Sequence, residues 1–460
     1  MSQDHQAVSP SSCNCTRPDC DICRYDFNID LPEQLIDDFQ HNRVALFLGA
    51  GVSTENPAVR PAQYTLYEKA KSSVDASISP EASFSEVMQA YSDQHGRHRL
   101  AAMIRSHLDY GRLFPEVLDA ETRFHRELAT LPNTDAIYTT NWDVHVETVC
   151  HATPLVTGED VAYWDLPGRK VFKLHGSITS IGSIVATSDE YRLCYERLRD
   201  GAIGAFLKTA LATKTVVFLG YSFCDSDFQQ LWCAVSRDIG IAAKRCYWVN
   251  PHESVDGGEK PDNLEQLRVD ATHFLRLLKQ RLIETGFMLP DSRWSAVAEI
   301  RTLAEDAHRH VLDRYPLSRY PDAIYALSYQ DGLMHACDWL IAQAFAGQAA
   351  HNCVVRATVP KYLELLDERR KNRNYLDVAY IEGFLNGMKL ALTESDGLHQ
   401  IPLYFSFGTR ESLSSKASFR RAIRVARHAH KTASTTARRF VERFLDESNE
   451  QVSMHHTPFL

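Results

Sequence analysis

The sequence predicts an α/β fold, a mainly parallel sheet with helices on both faces, followed by an α-helical C-terminal domain. Three observations predict it. Between residue 31 and about residue 290, short apolar runs rich in β-branched and aromatic residues alternate with helical stretches, the pattern of β-α-β units. The runs end in small or polar residues, as strands do where a parallel sheet opens into its ligand crevice. Beyond residue 290 helical periodicity takes over, with no strand alternation and no repeat of fixed period.

The runs lie at residues 44–48, 136–139, 171–174, 216–219 and 246–249. Four open directly into Gly49-Ala50-Gly51, Thr140-Asn141, His175-Gly176 and Gly220-Tyr221-Ser222, and Asn250-Pro251 follows the fifth. The helical periodicity covers residues 294–312, 323–345, 362–369, 376–392 and 416–445. Three segments are expected: a cysteine-containing tail (1–30), the α/β domain (31–290) and a helical domain (291–460).

Composition narrows the class. The 460 residues exceed one ordinary domain. With 44% apolar and 24% charged residues the chain is globular, and a formal charge of −9 argues against a general nucleic-acid coat. No apolar run approaches the roughly 18 residues that span a bilayer. The polar start, Met1-Ser2-Gln3-Asp4-His5, lacks signal-peptide regions. A cytoplasmic protein without membrane contact is the expectation. Eleven cysteines then read as free thiols or metal ligands rather than a disulfide framework. Cys13, Cys15, Cys20 and Cys23 offer four thiols suited to zinc. Their spacing is tighter than the usual two separated pairs, so the alternative is a cysteine-rich tail.

Gly49-Ala50-Gly51-Val52-Ser53 follows the first strand. Glycines let a backbone approach a ligand closely, and a helix start presents free N–H groups, so the turn suits a pyrophosphate. It also suits a plain strand-to-helix turn. The full dinucleotide-binding fingerprint is absent, because position 54 is Thr rather than Gly. Asn141 and Asp143 are poor strand formers at a strand end. They form either an Asx turn or helix cap, or a carboxamide and a carboxylate aimed into the crevice at a ribose or carboxamide ring. His175 is either a satisfied structural side chain or the general base. Gly220 and Ser222 are placed to touch phosphate or ribose, while Asp225 and Asp227 are helix-cap candidates.

The ordered set Gly-Ala-Gly-x-Ser, Thr-x-Asn-x-Asp, His-Gly, Gly-x-Ser and Val-Asn-Pro, each after a strand, resembles the sirtuin family over residues 31 to 285. Within it, Leu219-Gly220-Tyr221-Ser222-Phe223-x-Asp225-x-Asp227 looks most like the sirtuin-like domains of bacterial antiphage defence proteins, which hydrolyse NAD+. The resemblance implies a Rossmann-like sheet and NAD+ as substrate, cleaved at the nicotinamide–ribose bond. It also implies roles. Gly49, Ala50, Gly51 and Ser53 would line the pyrophosphate and its ribose. Asn141 would hold the nicotinamide ribose and the attacking water, Asp143 would orient the nicotinamide end, and His175 would be the base. Gly220 and Ser222 would contact phosphate and ribose, and Asn250 the adenosine side. Such effectors are held inactive until triggered, so a homo-oligomer and a defence partner such as a HerA-type ATPase are implied.

The departures bear on the acceptor. Protein-deacetylating relatives carry a four-cysteine zinc module between His-Gly and Gly-x-Ser, where this chain has only Cys194. The Pro-Asp-Phe-Arg segment is replaced by residues 55–61, and Thr140 stands where the deacetylases have Gln. Zinc is therefore not expected in this domain, and water replaces acetyl-lysine as the acceptor. A protein deacylase or a non-catalytic sensor of NAD+ or ADP-ribose are the alternatives. In the helical domain, Arg420, Arg424, Arg427 and Lys431 fall at helical spacing. They read as a solvated face, or as a contact for nucleic acid or an acidic partner. Trp339, Phe345 and Phe384 read as core or subunit interface.

Overall fold

A computed structural model describes residues 29–53, 65–75, 78–134, 136–166, 168–223, 226–251, 263–345, 352–392, 401–447 and 456. Cys13, Cys15, Cys20, Cys23 and Asp225 lie outside these residues. The chain divides into two compact units, Met1–Glu284 and Thr285–Leu460.

The first unit is built on seven parallel strands: β1 (Val44–Leu48), β2 (Ala136–Thr139), β3 (Thr153–Leu155), β4 (Lys170–Lys173), β5 (Thr215–Leu219), β6 (Cys246–Val249) and β7 (Leu264–Leu267). Their order is β3-β4-β2-β1-β5-β6-β7, a Rossmann-like arrangement. Every residue of β1, β2, β4, β5 and β6 is buried. Near-continuous apolar runs are what central parallel strands need when both faces are covered. The two edge strands lack that signature. The Thr-Pro-Leu of β3 and the Leu-Glu-Gln-Leu of β7 are short and only half buried, and a proline is tolerated only at such an edge.

The helices of this unit, in chain order, are α1 (Glu33–Gln40), α2 (Leu66–Lys71), α3 (Phe84–His95), α4 (Arg97–Leu113), α5 (Pro115–Glu121), α6 (Arg123–Ala129), α7 (His145–Val149), α8 (Ser188–Asp200), α9 (Ala202–Thr213), α10 (Ser226–Ile239) and α11 (Ala271–Glu284). On one face of the sheet Phe47, Tyr138, Phe172, Phe218 and Trp248 form an aromatic layer with Leu198 of α8, Leu207 of α9 and Trp232 of α10. Tyr138 and Phe172 stack with ring centroids 4.8 Å apart. The alternate residues Leu46, Ile137, Val171 and Val217 are buried as well, because side chains alternate across a strand. There α1 packs on β1 and α11, and α11 on α6. A separate cluster joins Leu66, Val87, Met88, Leu100 and Ile104 of α2–α4 to Ile184 and Ala186, with Trp142 and Ile178 packed against it. These helices therefore wall the loops at the carboxyl ends of β2 and β4.

The second unit is helical: α12 (Asp291–Arg314), α13 (Ala323–Phe345), α14 (Asn352–Lys371), α15 (Tyr375–Leu392), α16 (Lys416–Ala429) and α17 (Lys431–Glu447). Its core sits where α13 meets α15. A Cβ at Gly332 would lie 2.0 Å from the Tyr380 carbonyl oxygen, and one at Gly383 would lie 1.9 Å from that of Tyr329. Phe384 is buried in this core and Trp339 packs against it. The periodicity over 416–445, read as one helix, belongs to two. The chain breaks at His430 (φ −145°, ψ 83°), whose Nδ1 accepts the Ala433 N–H at 3.1 Å and caps the second helix. Arg420, Arg424 and Arg427 are thus exposed on α16, while Lys431 opens α17. Among the described residues, no helix is long and apolar enough to cross a membrane.

Candidate active site

After β1 the chain runs to β2, β3 and β4 on one side. It then crosses to β5 on the other side of β1. The carboxyl ends of β1 and β5 therefore flank a topological switch point, where open α/β sheets bind ligands. The segments singled out from sequence arrive there from β1, β2, β4 and β5.

The glycines interlock two turns. The Gly49 N–H donates to the Leu219 carbonyl and the Gly51 N–H to the Gly220 carbonyl, each at 2.9 Å. A Cβ on Gly49 would lie 2.5 Å from the Gly220 oxygen, and one on Gly51 2.8 Å from the Gly220 Cα. Gly220 itself has φ +60°, a left-handed conformation open to glycine without penalty. Val52 and Ser53 donate back to Gly49 and Ala50, closing a single 3-10 turn over Ala50–Val52. The N–H groups of Gly49, Gly51, Val52 and Ser53 are thus spent inside the turns. What the glycines provide is close approach, which leaves Ala50 and Gly51 exposed at the crevice.

Asn141 and Asp143 meet Ser53 across the strand ends. The Asn141 Nδ2 donates to the Gly49 carbonyl at 3.0 Å and to the Ser53 Oγ at 3.2 Å. The Ser53 hydroxyl donates to the Asp143 Oδ2 at 2.9 Å. The other Asp143 oxygen accepts the His145 N–H at 3.0 Å, which is the Asx turn, so one carboxylate oxygen serves that turn and the other Ser53. The Asn141 Oδ1 and the Trp142 Nε1 are buried without a hydrogen-bond partner among the described residues. Leaving such a group unsatisfied costs about 1–3 kcal/mol, and the two cases are adjacent in the chain.

His175 follows β4. The Leu174 N–H donates to the Thr139 carbonyl and the Ile178 N–H to the Trp142 carbonyl, each at 2.9 Å, so the histidine turn is bound to the asparagine turn. The imidazole is buried, edge-on to Tyr191 at 4.9 Å. Gly176, with φ +83°, is required because a Cβ there would lie 2.1 Å from the Ser183 oxygen. Arg97 of α4 braces this loop through Glu190 at 2.6 Å and the Ile184 carbonyl at 3.0 Å. Ser222 is exposed beside Gly220. Asn250 ends β6, its N–H donating to the Leu267 carbonyl at 3.1 Å.

Lys173 joins this group without belonging to any of the motifs. Lys173 is a lysine inside an apolar strand run, which must be paired when buried. It is 1% exposed, donates to the Asp143 carbonyl and pairs with Glu147 at 3.2 Å. Burial alone would raise the pKa of Asp143, but His145 and Lys173 outweigh it and hold the carboxyl down to about 2. Below this turn, burial pushes His125 down to about 3, so its imidazole is neutral at neutral pH.

The His125 shift has a consequence for acid stability. A histidine whose folded pKa is depressed binds its proton in the unfolded chain first. Stability is therefore present above the ordinary value of 6.5 and falls as pH drops from 6.5 towards 3, by about tenfold in the folding equilibrium per pH unit. Asp143 adds its own loss only lower, as pH falls from 3.8 through about 2. Urea midpoints at pH 7.5, 6 and 5 should fall steadily, and His125→Leu should flatten that slope. An unchanged slope in the variant would place the acid sensitivity elsewhere.

Comparison with known proteins finds similarity over part of the chain. Residues 135–272 match the family model of the SIR2-like domain. The chain is 29% identical over 225 residues to the NAD(+) hydrolase ThsA of Cytobacillus dafuensis, covering 47% of this chain and 43% of that protein. It is 33% identical over 116 residues to the NAD(+) hydrolase ThsA of Enterococcus faecium, covering 23% of each. The chain thus spans less than half the length of these relatives. The matched span holds Asn141, Asp143, His175, Gly220, Ser222 and Asn250 on a parallel Rossmann-like sheet, and this part of the chain is similar to the SIR2-like domain.

Proposed function

We propose that this chain is an NAD+ hydrolase that cleaves the nicotinamide–ribose bond to nicotinamide and ADP-ribose. The observation that carries this reading is the Asn141 carboxamide. Its nitrogen is tied down by Gly49 and Ser53, while its oxygen is buried and has no partner among the described residues. A buried acceptor of fixed direction suits a ribose hydroxyl or an attacking water. The relatives named NAD(+) hydrolases support the same reading.

The scissile bond joins ribose C1′ to a cationic nicotinamide, a good leaving group, so the transition state is oxocarbenium-like. The chain has mainly to orient the substrate, exclude stray water and place one nucleophile. In this assignment Asn141 directs the nicotinamide ribose and the water, and His175 takes a proton from a ribose hydroxyl or the water. Gly49, Ala50, Gly51, Gly220 and Ser222 admit the phosphates and adjoining ribose, and Asn250 faces the adenosine side. Water is the acceptor, with no acetylated peptide required. The protein acts as a regulated cytoplasmic effector of bacterial antiphage defence by NAD+ depletion. Its helical unit serves oligomerisation or a partner such as a HerA-type ATPase.

His175→Ala is expected to lower the rate constant for nicotinamide release by about 10²-fold or more, the usual worth of a general base. His175→Gln, which keeps a polar side chain but cannot take the proton, should not restore it. Measuring nicotinamide by chromatography decides the point. Turnover at the parent rate in either variant removes His175 from the mechanism.

A further inference from the structure

Three side chains at the strand ends, those of Asp143, Ser53 and Asn141, form one chain of hydrogen bonds, and Lys173 joins it through the backbone carbonyl of Asp143. Lys173 donates to the Asp143 carbonyl, the Asp143 Oδ2 accepts the Ser53 hydroxyl at 2.9 Å, and the Ser53 Oγ accepts the Asn141 Nδ2 at 3.2 Å. A serine has one proton and two lone pairs. An ionised carboxylate only accepts, so beside Asp143 the serine proton is committed to that carboxylate. Only lone pairs then remain to face Asn141. The Gly49 carbonyl, 3.0 Å from the same Nδ2, also only accepts. Turning the carboxamide over would set its oxygen against two acceptors. Its nitrogen must therefore face inward and its oxygen outward.

We propose that Lys173, Asp143 and Ser53 are a positioning relay that fixes which end of the Asn141 carboxamide meets the substrate. This rests on the NAD+ hydrolase reading and revises two of its assignments. Asp143 acts through Ser53 rather than on the nicotinamide, and Ser53 acts on Asn141 rather than on the pyrophosphate. Lys173 has a double task. It ties the turn bearing Asn141 to β4, the strand that leads into His175, and its positive charge favours the ionised form of Asp143. Burying a lysine is expensive unless it is paired, and here the pairing is with Glu147 at 3.2 Å and with the Asp143 carbonyl.

The test is steady-state NAD+ hydrolysis by the full chain and by Ser53→Ala, Ser53→Thr, Asp143→Asn and the Ser53→Ala/Asp143→Asn pair, each with its thermal midpoint. Ser53→Ala should lower kcat about 10- to 100-fold while KM for NAD+ stays within about threefold, since the hydroxyl does not touch substrate. Ser53→Thr keeps the hydroxyl and should recover most of the loss. The double variant should be no worse than the poorer single one, because both changes break the same chain. A Ser53→Ala effect confined to KM, or fully additive losses, overturns the relay and returns Ser53 to direct ligand contact. Should Ser53→Ala melt early, the threonine variant and Asp143→Asn still separate the two outcomes. Failure of the parent protein to release nicotinamide counts against the hydrolase reading itself, and the variants then decide nothing about it.

Discussion

Asn141→Ala should reduce nicotinamide release by about 10²- to 10³-fold, the range for losing one preorganised polar group at a reacting centre. The fold should tolerate the change. The Asn141 oxygen is buried without a partner among the described residues, and that state costs about 1–3 kcal/mol. Truncation removes this cost together with the two hydrogen bonds from Nδ2, so the thermal midpoint should move little. Asn141→Asp tests direction as well as presence. A carboxylate would set an acceptor against the Gly49 carbonyl, so it should be inactive and less stable than the alanine variant. Parent-like turnover in Asn141→Ala would remove the carboxamide from the chemistry.

Gly220→Ala should produce the largest loss of stability. Its φ of +60° costs a non-glycine residue roughly 1–2 kcal/mol. The added Cβ would also lie 2.4 Å from the Val52 nitrogen and 2.8 Å from the Gly51 carbonyl carbon. Those neighbours are backbone and cannot turn aside. The Gly51 N–H···O=C Gly220 bond must stretch or break, and the two turns that meet at the switch point separate. A total loss above about 3 kcal/mol is expected, with poor soluble yield. Gly96→Ala is the matched control. It too has positive φ, +88°, but nothing lies within 4 Å of its added Cβ, so it should lose only the conformational part. Equal denaturant midpoints for the two variants would show that the backbone contact carries no weight.

The central sheet was legible because its strands are continuous apolar runs, and burial on both faces requires that pattern. The edges were not. Pro154 in β3 and Glu265 and Gln266 in β7 break the apolar signature, since an edge strand needs to cover only part of itself. Likewise, β4 and β5 each begin one residue before the apolar run, at Lys170 and Thr215. A parallel ladder continues through a polar residue when its backbone still finds partners. In the helical unit, the break at His430 was invisible because apolar spacing resumes on the next helix in nearly the same phase.

The candidate site was legible as a set of segments and less so as a set of contacts. Placement of Asn141 and His175 at neighbouring strand ends followed from the sheet. That Gly49, Gly51 and Gly220 are needed by one another did not, since a glycine's reason lies in the backbone opposite it. Nor did the route from Lys173 to Asn141, which depends on rotamers across three strand ends. The lysine inside the run Val171-Phe172-Lys173-Leu174 was the visible clue.

The most direct test is incubation of the purified chain, assembled with any activating partner, with NAD+ alone and with NAD+ plus an acetylated peptide. Both products should then be quantified. Hydrolysis at the Asn141–His175 site predicts nicotinamide and ADP-ribose in equal amounts, at a rate indifferent to the peptide and lost in Asn141→Ala. Release that requires the peptide and yields an acetylated ribose product would contradict it, as would NAD+ consumption that Asn141→Ala leaves untouched.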